Sequence, residues 1–219
     1  MPKIKEPSFF CSYFQVIKDP ISYFNLFNPI NEEIAIGEAS HVYLSNPESA
    51  EVIHALIPDA KFILIFRNPT ERAYSLYQWA RRANLESIDS FEDAIDAEDY
   101  RITDEMFFKN CPHYFWNFMY VRSSYYNLQW ERYLHFYLPK QFFPLSLNEL
   151  VRDPTLWIRR IYNFLGVDTT FTPNVEHLNL GEYQPLLAKT KCRLDEEFKG
   201  VISATHDLAG RDMQLGPVD

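Results

Sequence analysis

The sequence predicts an α/β fold on three observations: proline-led helix starts recur along the chain, short apolar runs lie between them, and the composition supports a large core. Of 219 residues, 47% are hydrophobic, 16% aromatic and 23% charged, which suits one globular domain over residues 1–219. Asn46-Pro47, Asn68-Pro69 and Asp153-Pro154 each place a capping side chain before a proline preset for the first helical position. Each predicts a helix. After Asn46, Ala50, Ile53, Leu56 and Ile57 recur at helical spacing up to Pro58. Asn68 and Glu71 have capping-box spacing ahead of Ala73, Leu76, Tyr77 and Ala80, which predicts a helix over about 69–83. Ser90 and Asp93 mark a short helix start. After Asp153, Trp157, Ile161, Phe164 and Leu165 repeat until Gly166, a C-terminal stop. The runs Ile34–Ile36, Phe62–Phe66 and Phe142–Leu147 have the length and β-branched or aromatic content of buried strands. Tyr114 to Leu138 reads as one or two aromatic-rich helices closed by Pro139, with a spacing that core packing explains better than an acceptor cleft.

Charge and glycine content exclude several function classes. Lys and Arg number 21 against 30 Asp and Glu, a formal charge of -9, so nucleic acid is not an expected partner. The six glycines form neither GxxxxGK[ST] nor GxGxxG. Cys11, Cys111 and Cys192 are far apart, and no leader or long apolar stretch occurs, so the expectation is a cytoplasmic chain with reduced, core-packed thiols and no membrane span. The scattered histidines offer no metal site.

The richest segment is Lys61 to Tyr77, KFILIFRNPTERAYSLY. Arg67 falls at the carboxyl end of an apolar strand beside the free N–H groups of a capped helix, where ligands of open α/β sheets bind. A charged fork there suits a phosphate dianion, and Ser75 can add a hydroxyl donor. The residues leave a second reading open, in which Arg67 pairs with Glu71 and Ser75 only packs.

RNPTERAYSLY resembles the 3′-phosphate-binding motif of sulfotransferases that use 3′-phosphoadenosine 5′-phosphosulfate. Four further stretches follow in the family's order: KEPSFF at Lys5–Phe10, GEASHVYL at Gly37–Leu44, SLNELVRDPTLWIRRIYNFLGV at Ser146–Val167, and GRDMQL near the end. The EPxFF and GExSxxYL elements are most similar to the bacterial and heparan sulfate branches. The resemblance implies a three-layer, P-loop-type fold with a parallel central sheet, the donor nucleotide as ligand without a metal, and a small-molecule or carbohydrate acceptor. It assigns the 3′-phosphate to Arg67 and Ser75, and the catalytic base to Glu6, with a solvated terminal Glu as the other reading. Glu38 becomes a second acidic candidate, for orienting substrate, although Ala39 replaces the Lys that follows in the heparan branch. His41 does not match the cytosolic branch's His by motif and reads as a polar residue at a strand end. Lys189, Lys191 and Arg193 lie where relatives close a basic loop over the nucleotide, or else form a solvated helix start. Members begin with a strand and a Lys/Gly/Ser/Thr-rich loop around the 5′-phosphosulfate, ahead of the EPxFF stretch. Met1 lies four residues before Lys5, so that strand and loop are expected to be missing and apolar surface exposed. A piece of a longer protein, an upstream start, and a relative that binds without catalysing all fit this expectation.

Overall fold

The computed structural model describes residues 4–27, 33–173 and 184–216. In chain order the regular elements are α1 (Pro20–Asn25), α2 (Val42–Ser45), α3 (Ser49–Leu56), β1 (Phe62–Phe66), α4 (Pro69–Arg82), α5 (Phe91–Asp96), α6 (Glu98–Arg101) and α7 (Glu105–Asn110). They continue with α8 (Tyr126–Leu134), β2 (Phe142–Ser146), α9 (Leu147–Arg152), α10 (Pro154–Leu165), α11 (Ala188–Glu197) and α12 (Lys199–Ala209). This is the expected α/β class with an open parallel sheet, in which β1 and β2 are the strands that pair among the described residues.

Three expected helix starts form as their side chains dictate. Asn68 Oδ1 accepts from the Glu71 N–H at 3.0 Å, Ser90 Oγ from the Asp93 N–H at 3.0 Å, and Asp153 Oδ1 from the Leu156 N–H at 3.0 Å. Gly166 closes α10 in the left-handed region at φ 79°, where a side chain would be strained. Asn46 does something else. It ends α2, and α3 starts only after Glu48: Asn46 Nδ2 donates to Ser49 Oγ at 2.7 Å, whose hydroxyl donates to the Phe10 carbonyl at 2.6 Å, while Oδ1, the atom that would cap, accepts no bond among the described residues.

The strands and loops carry further corrections. Ile34–Ile36 is not a strand: Ile34 is 78% exposed and the stretch has no ladder partner among the described residues. β branching favours a strand only where a neighbour covers it. β1 is not buried on both faces, since Leu64 and Phe66 turn inward while Ile63 and Ile65 are 38% and 51% exposed. From Tyr114 to Tyr125 the chain makes two 3₁₀ turns rather than a helix, and α8 covers only Tyr126–Leu134. Ser123 and Ser124 there supply hydroxyls to Arg72, the kind of side-chain bonding that competes with helix. Of the cysteines, Cys11 is buried, Cys111 half-buried and Cys192 exposed.

The chain divides into two compact units. One comprises the described residues up to Leu64 with Gln129–Leu145 and Glu149–Pro173. Its core joins Phe62, Tyr133, Tyr137 and Phe142, with the Phe62 and Phe142 rings stacked at 5.2 Å. The other comprises Ile65–Leu128, Ser146–Asn148 and the described residues beyond Asn174. Here Ala73 and Tyr77 of α4 pack with Phe91, Ala94, Ile95, Tyr120, Leu194, Phe198 and Val201. Asn68 joins local to tertiary order in this unit, because its Nδ2 also donates to the buried Leu215 carbonyl at 3.0 Å. Asn68→Ala removes a cap and leaves that carbonyl unpaired, so unfolding curves are expected to show a loss of about 2 kcal/mol.

Candidate functional site

The candidate residues fall into two groups, one in each unit. In the second unit, β1 delivers Arg67 at its carboxyl end and Pro69 begins α4 two residues on. The Asn68 cap takes the Glu71 N–H, Pro69 has none to give and Thr70 is buried, so what the first turn offers negative charge is its aligned peptide dipoles rather than a set of free N–H groups. Glu71 occupies that turn, and Arg67 Nε donates to its Oε2 at 3.3 Å. The Nη groups of Arg67 make no bond among the described residues. Its hydrogen-bond fork is therefore still half available, while a carboxylate already sits where an anion is favoured. Ser75 lies one turn past Glu71 on the same helix face and is half-buried, without a hydrogen bond to Arg67.

The basic residues of α11 do not form one cluster. Lys191 donates to Asp195 at 2.7 Å and also feels the Glu71 carboxylate; the bond to Asp195 comes first among the causes that raise its pKa. Lys189 is exposed, and Arg193 faces Asp96 at 3.7 Å. Two residues on a helix are about 200° apart, so Lys189 and Arg193 share a side that Lys191 does not. Arg67, Glu71 and Lys191 are thus the charges that the fold brings together, and Lys191 reaches them because α11 packs on α4.

Behind this face lies a buried polar layer that periodicity did not reveal. The Arg72 guanidinium donates to Ser123 Oγ at 2.6 Å and Ser124 Oγ at 3.1 Å, and its burial lowers its pKa. Arg101 grips Glu86 with two contacts of 2.9 Å, and the Tyr120 hydroxyl adds a third at 2.7 Å. Burial pushes the Glu86 carboxyl up, but these bonds outweigh it and hold it below the usual range. Glu98 accepts from the Val121 and Arg122 N–H groups at 2.7 and 3.1 Å, yet burial wins there and pushes its carboxyl up to about 7. A carboxyl whose folded pKa exceeds its unfolded value binds its proton more tightly in the native state. Its contribution is therefore full below about pH 4.5 and is lost as pH rises to about 7, on the order of 3 kcal/mol. Thermal unfolding is expected to show stability falling over that window. Glu98→Gln should flatten the slope whatever its absolute stability.

In the first unit the Glu6-Pro7-Ser8 loop packs against residues 38–43. Glu6 and Ser8 hold left-handed backbones at φ 54° and 50°, which is costly for residues with a Cβ and persists where surrounding bonds over-determine it. Those bonds are visible. Glu6 Oε2 accepts from both the backbone N–H and Nδ1 of His41, each at 2.7 Å, and the Ser8 N–H donates to Ser40 Oγ at 3.0 Å. Burial pushes the Glu6 carboxyl up, but the two bonds and the charges of His41 and Lys5 bring it below its ordinary value. Oε1 makes no bond among the described residues, and the side chain is 45% exposed. Glu6 can therefore remain ionised and accept a proton.

Glu38 is more tightly engaged. Its Oε1 accepts from Tyr43 and Tyr23 at 2.6 and 3.1 Å, and its Oε2 from Ser40 at 2.7 Å. Burial and the nearby Glu38 carboxylate raise both tyrosine pKa values. Phe9 stacks on Tyr23 at 4.2 Å, which ties the EPSFF stretch to α1. The fold brings Glu6, Glu38 and His41 into one network, with Tyr23, Ser40 and Tyr43 as members that sequence reasoning missed. Ser40 and His41 directly follow Glu38, but no spacing rule marks them. His41 does not stand at a strand end, since α2 follows it.

Among the described residues no group of three or more His, Cys, Asp or Glu could hold a metal ion, and no helix is long and apolar enough to cross a membrane. A family model described as a sulfotransferase domain matches residues 45–204. A bifunctional heparan sulfate N-deacetylase/N-sulfotransferase 1 from Caenorhabditis briggsae is 46% identical over 48 residues, 22% of this chain and 6% of that protein. The membrane-associated sulfotransferase kil1 from Dictyostelium discoideum is 33% identical over 100 residues, 43% of this chain and 21% of that protein. The chain thus spans a small part of either relative. The crystal structure of a sulfotransferase from Alicyclobacillus acidocaldarius superposes with a TM-score of 0.80 at 30% identity, covering 97% of this chain and 85% of that one.

Proposed function

Because the chain belongs to the sulfotransferase family, we propose that it moves a sulfuryl group from 3′-phosphoadenosine 5′-phosphosulfate to a hydroxyl or amine acceptor. The observation that carries the donor assignment is the Arg67 fork at the start of α4, occupied on one side by the Glu71 carboxylate. That carboxylate stands in for the 3′-phosphate. When the nucleotide binds, Arg67 takes a phosphate with stronger charge and more acceptor oxygens than a carboxylate, and the Ser75 hydroxyl adds a bond. Lys191 adds positive charge beside them, while Lys189 and Arg193 are assigned to the outer edge of the nucleotide.

Transfer forms a bond from the acceptor oxygen or nitrogen to sulfur and breaks the bond from sulfur to the 5′-phosphate, which leaves as adenosine 3′,5′-bisphosphate. The acceptor's proton goes to a base, and Glu6 is assigned that role because it combines ionisation with an open oxygen. Its left-handed backbone and double anchor on His41 fix the carboxylate in place. Glu38, bonded to three hydroxyls, orients the loop that carries this base rather than the substrate itself. The name of the Caenorhabditis relative supports a carbohydrate acceptor.

The test is transfer of labelled sulfuryl from the donor to a panel of amino sugars, uronic-acid oligosaccharides and phenols. The expected result is turnover on at least one sugar acceptor, abolished by competing bisphosphate. Nucleotide binding without transfer to any acceptor would favour a binding protein built on the same fold.

A further inference from the structure

A second feature lies in the first unit, along α10, and uses none of the residues assigned to donor or base. A groove of about 550 Å³, within the range of small-molecule sites, runs along this helix. Leu156, Arg159, Arg160 and Asn163 line one wall, a spacing of i, i+3, i+4 and i+7 that places all four on one face. Phe143 and Phe164 form the floor, with ring centroids 5.4 Å apart, and Leu156 adds exposed apolar surface.

In a chain of net charge -9, Arg67, Arg81, Arg101, Arg122 and Arg193 each face a carboxylate. Among the described residues, Arg159 and Arg160 face no carboxylate and no acidic side chain lines the groove. The Arg160 guanidinium lies 4.6 Å over the Trp157 ring, which keeps the fork flat and oriented without using its N–H groups. Lys61 adds a third cation, with Nζ 5.3 Å over the Phe164 ring and 2.7 Å from the Phe164 carbonyl. Two unneutralised forks above an aromatic floor match a ligand with a tetrahedral oxyanion at one end and a flat apolar body at the other. A bare inorganic ion would leave the floor uncovered, and a neutral aromatic would leave both forks unused.

We propose that this groove binds an oxyanion monoester of an aromatic ring, an aryl sulfate or aryl phosphate. The oxyanion bonds to Arg159 and Arg160, the Asn163 amide donates beside them, and the ring covers Phe143 and Phe164. Sulfate and phosphate esters share this chemistry, so both are probes.

The test is equilibrium binding of 4-nitrophenyl sulfate and 4-nitrophenyl phosphate to the full chain, by calorimetry and by quenching of tryptophan fluorescence. 4-Nitrophenol and inorganic sulfate are the controls. At least one ester is expected to bind tenfold or more tightly than either control, and Arg159→Ala and Arg160→Ala should each weaken it at least tenfold. Trp157→Phe should remove most of the fluorescence signal and little of the heat. Arg67→Ala should leave ester binding unchanged, which separates this groove from the nucleotide reading, while Arg159→Ala should leave bisphosphate binding unchanged. Equal binding of ester and 4-nitrophenol, equal binding of ester and inorganic sulfate, or indifference to both arginine variants would overturn the proposal. So would loss of ester binding in Arg67→Ala.

Discussion

Arg67→Ala is expected to weaken binding of adenosine 3′,5′-bisphosphate by about 10- to 100-fold, the worth of one or two charge-assisted hydrogen bonds. The expectation depends on geometry as well as charge. Arg67 follows directly on β1, and Asn68 and Pro69 set the first turn of α4 at once, so the guanidinium is held at the helix start by chain connectivity. The free protein already spends Nε on Glu71 at 3.3 Å, so nucleotide competes with that carboxylate for the guanidinium. Glu71→Gln is therefore expected to act in the opposite direction and tighten binding several-fold, because the competitor loses its charge. Calorimetry of wild type and both variants at two salt concentrations checks the pair of signs. Equal affinities for wild type and Arg67→Ala would remove the donor site from this helix, and weaker binding by Glu71→Gln would show that Glu71 holds Arg67 in place instead of competing for it.

Glu6→Gln is expected to lower the rate of sulfuryl transfer by about 10²–10⁴-fold while leaving bisphosphate affinity unchanged. The amide keeps the shape and one acceptor oxygen for His41 but cannot take the acceptor's proton. The bonds from His41 hold the Glu6 carboxyl below the ordinary carboxylate value. The acid limb of kcat/KM against pH should accordingly fall below about 4.5, and His41→Ala should move it upward by removing the imidazole's bond and charge, while the backbone N–H of residue 41 still favours the ionised form. A transfer rate in Glu6→Gln within a few-fold of wild type would assign the proton to another group. A fall in nucleotide affinity in the same variant would point to a disturbed loop, which the double left-handed backbone at Glu6 and Ser8 makes a sensitive place.

Residues 61–77 carry their own local fold. An apolar run, an Arg, an Asn-Pro pair and an amphipathic stretch specify strand, turn, cap and helix from local physics alone, and all four form where expected. The same local rules placed α5 and α10, including the Gly166 stop. Of the four expected caps the one at Asn46 does not form: its amide is turned with Nδ2 on Ser49, which in turn bonds the distant Phe10 carbonyl, and Oδ1 is left off the helix N-terminus. Wherever the deciding interaction joins residues far apart in sequence, composition and spacing carried no signal. Ile34–Ile36 has strand residues but no neighbouring strand, and Tyr114–Tyr125 has helical spacing but gives its serine hydroxyls to Arg72 of α4.

The candidate sites divide in the same way. The residue types and order of Glu6, Glu38, Arg67, Ser75 and Lys191 were present in the sequence, together with the family resemblance. Tertiary structure decided how each is engaged. It set Glu6 on His41, 35 positions away, and bound Glu38 to two tyrosines and a serine. It also set Lys191 of α11 within electrostatic reach of Glu71. Charge type and helix phase are local quantities that a sequence determines by itself. Which carboxylate stays open to accept a proton, and which cation stays unneutralised, depends on partners that chain folding brings within a few ångströms, and that proximity exists only in three dimensions.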